Sequence, residues 1–180
     1  YVGRETHEAR SPLVSHETFF DLASLTKVTT TLQWLLKLCS EDKLTLDLRV
    51  GDVFSHASAW LQSVRLWQLA NHTSGLAAHL LFPELFNQAQ LPLQAAELNK
   101  DQILSHILKL ESDYTPGTRQ VYSDLGYMLL AEILSAIDKP IAAALQDLHG
   151  HGPTSLHWCA SKPLLESPHD YPYAATEDCP

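Results

Sequence analysis

Ser24 and Lys27, in the run Ser24-Leu25-Thr26-Lys27, are the residues best placed to do chemistry. A serine and a lysine three apart on a helix share one face. If that face lines a cleft, the lysine amine reaches the serine hydroxyl. The hydroxyl is a weak nucleophile until a nearby base takes its proton. A desolvated lysine can shed its charge and serve as that base. The chemistry on offer is attack on a carbonyl carbon to form an acyl-enzyme. Four residues with two free positions are a common pattern, so the reading depends on what accompanies them.

Two further clusters carry polar side chains in turns. Asn71-His72-Thr73-Ser74-Gly75 reads as a turn, and Tyr122-Ser123-Asp124 stands just before an apolar run. His72 and Ser74 are too close together for a triad, and no acid matches them. His149-Gly150-His151-Gly152 reads as a helix end with glycine caps rather than a metal site. The cysteines, Cys39, Cys159 and Cys179, are odd in number and form no C-x-x-C pair. That disfavours a disulfide framework or a zinc site and favours three free thiols. A single Cys159–Cys179 bridge stays open. No metal or cofactor is expected.

The elements that must position these residues follow from composition and spacing. The chain has 180 residues, 45% of them hydrophobic and 18% charged, enough for a real core and against disorder. Twelve Lys and Arg against 21 Asp and Glu give a net charge of −9, without a local basic patch. Nucleic acid and anionic membranes are therefore unexpected partners. No apolar run approaches the ~18 residues of a spanning helix. No signal peptide is evident, and the chain begins at Tyr1, so localisation is left open. The sequence does not specify the oligomeric state.

Residues 1–20 predict a short strand or two and a loop. Asp21 to Ser24 offers N-cap chemistry for a helix over about 24–40. Val28, Leu32, Leu35, Leu36 and Leu38 would form its apolar face. Thr29, Thr30 and Thr31 are poor helix formers, which suits a buried, central helix. Residues 41–56 read as a turn and an extended connection, 64–71 as a short helix, and 76–98 as a surface excursion broken by Pro83 and Pro92. Asn99 can cap a helix over 100–110, Pro116-Gly117 marks a turn, and 125–137 is strongly apolar and helical. Pro140 suits the first position of a helix ending near His149-Gly150. Beyond that the chain is loop-like and proline-rich. The pattern is one of about four or five helices with very little sheet, and it reads like one lobe of something larger.

Three segments together resemble the serine β-lactamase and penicillin-binding-protein superfamily, closest to its class C-like branch. They are Phe20–Val28 with its S-x-x-K, then Leu69-Ala70-Asn71-His72-Thr73-Ser74-Gly75-Leu76, then Pro116-Gly117 followed by Tyr122-Ser123-Asp124. Their order and spacing agree with that branch over about residues 18–138. Ala175-Thr176-Glu177 is also similar to some of its members. The resemblance implies a two-lobe α+β fold, with the reactive serine between a helical lobe and an antiparallel sheet. Residues 1–20 would be lead-in, 21–150 the helical lobe, and 151–180 a connection toward the sheet.

By that resemblance Ser24 is the nucleophile, Lys27 keeps it activated, and Tyr122 is the base that later protonates the leaving group. Asp124 stands where the branch usually has asparagine. An ionised aspartate only accepts hydrogen bonds, so it would raise the lysine pKa and weaken binding of a substrate amide. Ser123-Asp124-Leu125 also resembles an S-D-N triplet lacking its asparagine; the Tyr122 alignment is preferred. The family's third motif, K-T-G or H-x-G on a sheet strand, does not occur, and the chain is expected to stop before it. Ser24 would then supply one oxyanion N–H while the strand's N–H is missing. A β-lactam, a D-Ala-D-Ala peptide and a carboxylic ester all fit a Ser/Lys/Tyr centre. By analogy the protein would be periplasmic or secreted, with a cytoplasmic location also open. The alternative is a non-catalytic module that binds peptidoglycan or peptide on the same scaffold.

Overall fold

The apolar run behind Tyr122 forms the longest helix among the described residues, Asp124–Ile137, and buries Leu125, Leu129, Leu130, Ile133 and Leu134 at its centre. In this computed structural model, residues 3–6, 9–16, 18, 20, 22–80 and 100–150 are described. Among them the α-helices are α1 (Leu32–Ser40), α2 (Val50–Val53), α3 (Ala59–Gln62), α4 (Leu66–Ala70), α5 (Lys100–Ile107), α6 (Asp124–Ile137) and α7 (Ile141–His149). A π-helical turn, Lys27–Thr31, precedes α1. The described residues contain no β-strand, only isolated antiparallel bridges Arg4–Leu13 and Arg49–Arg65.

The core joins α6 to Trp34, Leu35 and Leu38 of α1, to Leu66 and Leu69 of α4, and to Ile107 and Ala144. Burying a leucine side chain is worth roughly 1.5–3 kcal/mol, so this cluster holds the helices together. Trp34 also donates its indole N–H to Asp138 at 3.0 Å, tying α1 to the end of α6. Helices α2 and α4 begin alike. The Asp52 carboxylate accepts from the Arg49 N–H at 2.8 Å, and Gln68 accepts from the Arg65 N–H at 2.9 Å. Each satisfies a donor that a helix start leaves orphaned.

Several expectations are corrected. The helix expected over 24–40 is not uniform. Leu25, Thr26 and Lys27 donate backwards to Leu22, Ala23 and Ser24 in tight three-residue steps. Leu32 then donates to Lys27 O across a wide π turn. The threonines sit in that turn, with Thr30 and Thr31 buried, and Thr29 Oγ1 bonds the Leu25 carbonyl. His149 approaches the Thr29 carbonyl at 2.6 Å; a carbonyl only accepts, so Nε2–H donates. Two residues assigned to the inward face, Val28 and Leu36, are 48% and 51% exposed. The π turn shifts helical phase, and α1 faces α6 through Trp34, Leu35 and Leu38 instead.

The stretch 41–56 contains α2 rather than a plain connection, and α3 was not anticipated. Both are single turns whose apolar residues, Val50 and Leu61, are set by tertiary burial rather than periodicity. Pro140 stands at the N-cap position of α7, one residue earlier than expected. Gly150, at φ 71°, ends that helix. Residues 81–99 and 151–180, with Asn99, Cys159, Cys179 and the Ala175-Thr176-Glu177 triplet, lie outside the described residues. Cys39 is a free thiol whose pKa burial pushes up. No helix among the described residues is long and apolar enough to cross a membrane.

Gly75 is a point where the backbone admits no side chain. Its φ is +93°, and an added Cβ would lie 2.8 Å from the Tyr114 carbonyl oxygen and 3.0 Å from Ser112 Oγ. Gly75→Ala should therefore destabilise the protein by at least ~1–3 kcal/mol, measured by chemical denaturation. An unchanged midpoint would show that the 71–80 turn is loosely held.

Candidate active site

Three parts of the chain bring the site together: the residues before the π turn, the 71–80 turn, and the entry to α6. Ala23 adopts φ 43°, an uncommon conformation for a residue with a Cβ. It turns the chain so that the next residue, Ser24, is exposed before the helix begins. One helical turn on, the Lys27 ammonium donates to Ser24 Oγ at 3.0 Å. It also pairs with Asp124 Oδ1 at 2.6 Å, across 97 residues of sequence. The Lys27 Nζ lies 5.0 Å from the centre of the Tyr122 ring, close enough for a cation–π attraction. Ser24, Lys27, Tyr122 and Asp124, all singled out from sequence, thus meet at one place.

The charge states follow from the surroundings. Burial pulls the Lys27 pKa down, but hydrogen bonds and charge from Asp124 and Tyr122 outweigh it, and the net effect is upward. Lys27 is therefore a cation at neutral pH. This runs against the first option read from S-x-x-K, in which a desolvated lysine loses its proton and becomes the base. Tyr122 shifts the other way. Hydrogen bonding from the Ser24 side chain, then from Lys27, lowers its phenol pKa. Its side chain is 54% exposed, so it is not a core tyrosine.

Ser123 is buried; its Oγ–H donates to Ala77 O at 2.6 Å, while Oγ itself accepts from the Gly126 N–H at 3.1 Å. It is the N-cap of α6, and that engagement leaves it no part in an S-D-N arrangement. The Asp124 N–H in turn donates to Ala78 O at 2.8 Å. The sequence reads His72 as a turn residue and sets it aside as a triad histidine. Its ring lies 4.6 Å from that of Tyr122 and 5.1 Å from that of Tyr127, centre to centre. Its Nδ1 accepts from the Ser123 N–H at 3.0 Å. Nothing in the local sequence signals this contact, which spans 51 residues. Among the described residues no group of His, Cys, Asp and Glu is arranged to hold a metal ion.

Chemically the arrangement offers a hydroxyl, a cation that holds it, and a phenol of lowered pKa beside both. The Beta-lactamase family matches residues 1–148. The chain is 29% identical over 177 residues to the N-acetylmuramyl-L-alanine amidase of Bacillus subtilis, covering 89% of this chain and 37% of that protein. Among solved structures it is similar to a beta-lactamase/D-alanine carboxypeptidase from Yersinia pestis, at TM-score 0.64 and 26% identity, over 81% of this chain and 41% of the other. A penicillin-binding protein homolog from Caulobacter crescentus shares the fold at TM-score 0.64 and 21% identity, over 81% and 37%. The chain thus spans well under half the length of these relatives.

Proposed function

This chain belongs to the beta-lactamase family and carries a mostly helical part of its fold, and from that membership we propose that it holds the acylating centre of a serine hydrolase. The supporting observation is the contact of Lys27 with both Ser24 Oγ and Asp124, beside a phenol that Ser24 and Lys27 acidify. In this reading the Tyr122 phenolate takes the proton of Ser24 Oγ as that oxygen attacks the carbonyl carbon of an amide or ester. Lys27 donates to Oγ, so the hydroxyl hydrogen is free to turn toward the phenolate. The carbonyl π electrons move to its oxygen, forming a tetrahedral oxyanion. When that collapses, the Tyr122 hydroxyl protonates the departing nitrogen or oxygen, and the acyl group stays on Ser24. A water molecule then repeats the sequence and frees the acid.

Asp124 bears on the substrate. As a carboxylate paired with Lys27 it offers no N–H to a substrate amide. That favours simple esters and small peptides over ligands that need an amide contact there. The relative named as both beta-lactamase and D-alanine carboxypeptidase keeps β-lactams and peptides ending in D-alanine in the substrate class, and the one named as an amidase keeps amides there. The second oxyanion donor would come from the remainder of the fold.

The test is covalent. The intact protein, incubated with a fluorophosphonate or a labelled penicillin, should gain the probe's mass on the peptide containing Ser24. Folded intact protein that gains no mass with either probe overturns the proposal. Retained binding of peptidoglycan-like peptides in that case would favour a non-catalytic module.

A further inference from the structure

We propose that His72 is a positioning residue: it grips the backbone on both sides of Tyr122 and stacks on its ring, fixing the phenol at Ser24. The inference rests on the reading of Tyr122 as the proton acceptor. The grip has three points on three successive residues. The His72 carbonyl accepts from the Val121 N–H at 2.9 Å. Its Nδ1 accepts from the Ser123 N–H at 3.0 Å. Its ring lies against the Tyr122 ring between them, with 35° between planes.

The need for such a device is visible in Tyr122 itself. The side chain is more than half exposed, so packing alone does not fix its rotamer. It precedes α6 rather than standing within it, so helix geometry does not fix its backbone. A misplacement of about 1 Å can cost on the order of 10²-fold in rate.

His72 is in turn held from behind. Its φ of 64° places it in the left-handed region, which histidine tolerates better than most residues. The Tyr114 hydroxyl reaches its carbonyl at 3.4 Å, and the ring of Tyr127, anchored to Ala70 O at 3.0 Å, packs 5.1 Å from the imidazole, centre to centre.

The grip works only with a neutral ring, because a protonated imidazole has no acceptor at Nδ1. The groups facing the ring are Lys27 from the π turn, Tyr122 and Asp124 from the α6 entry, and Tyr127 from α6. Burial first, then the Lys27 charge, hold the His72 pKa below its ordinary value against the charge of Asp124, and the Ser123 N–H donated to Nδ1 also favours the neutral ring. The neutral form therefore persists to lower pH than in an ordinary imidazole.

Two measurements on the intact protein test this. In the first, nitrogen NMR of the wild type at neutral pH should show His72 protonated on Nε2 and bare on Nδ1. A proton on Nδ1 overturns the proposal without any variant. In the second, Tyr122 is followed by carbon NMR through its titration in wild type, His72→Ala and His72→Asn. His72→Ala should return the Tyr122 pKa toward the ordinary ~10 and slow probe labelling about 10²-fold. His72→Asn keeps an acceptor near the Nδ1 position and suits the left-handed backbone, and should recover about tenfold of that loss. A folded His72→Ala protein with an unshifted Tyr122 titration overturns the proposal. If His72→Ala does not fold, the tautomer decides alone. If the wild type takes no label, the acyl-enzyme reading fails, while the tautomer and the titration still judge the grip.

Discussion

Ser24→Ala should abolish probe labelling and lower turnover of the intact protein on the order of 10⁶-fold, the scale seen when a nucleophile that acts in concert with its base is removed. The fold should not notice. Ser24 is exposed, and its hydroxyl meets Lys27 rather than a core group. Lys27 keeps its partner Asp124 at 2.6 Å when the hydroxyl is gone. Stability should therefore stay within about 0.5 kcal/mol of wild type, as for other surface substitutions. The neighbouring phenol should register the change, because hydrogen bonding from Ser24 is the largest cause of its lowered pKa. In Ser24→Ala the Tyr122 titration should move up toward its ordinary value. Mass spectrometry and the NMR titration check the two halves separately. Labelling that survives in Ser24→Ala would move the nucleophile elsewhere, whatever the phenol does.

The parts of this molecule that sequence made visible are those whose identity does the work. Serine and lysine three apart, a tyrosine before an aspartate, and a glycine turn between them are legible as residue types in order. The long helices are legible because their leucines repeat at helical spacing, as in Leu125, Leu129 and Ile133. What escaped depends on contacts between distant residues. The π turn arises where Thr30 and Thr31 are buried and His149 completes the Thr29 carbonyl from 120 residues away. Helical periodicity assumes 3.6 residues per turn, so the wide turn misplaced Val28 and Leu36 on the inner face. Helices α2 and α3 are too short to show a period. His72 looked like an ordinary turn residue because its partners, Tyr122 and Ser123, are 50 or so positions away. The charge on Lys27 is hidden from the S-x-x-K spacing for a similar reason. Spacing alone reports the serine, whereas Asp124, which keeps the lysine protonated, arrives from another helix.

Tyr122→Phe separates the two candidate bases and should slow acylation by about 10²–10⁴-fold, the contribution of a positioned general base. The variant removes one oxygen and little else. The Lys27 contact is with the ring, at 5.0 Å from its centre, and the His72 stack is with the ring as well. Since the side chain is more than half exposed, stability should stay within about 0.5 kcal/mol. The pH profile carries the sign. If the phenolate is the reactive form, the wild-type rate climbs as pH rises through the Tyr122 pKa, which Ser24 and Lys27 hold below the usual tyrosine range. The rate should fall again only at high pH, as Lys27 deprotonates. Burial favours that loss, but Asp124 and Tyr122 outweigh it and keep the lysine pKa above its ordinary value. Tyr122→Phe should lose the rising limb as well as the rate. A neutral lysine base would behave oppositely. The rate would climb only where Lys27 titrates, above the ordinary lysine value, and Phe at 122 would leave that limb in place. Stopped-flow acylation across pH for both proteins distinguishes the two, and a Tyr122→Phe protein with wild-type rate and profile would assign the proton to Lys27.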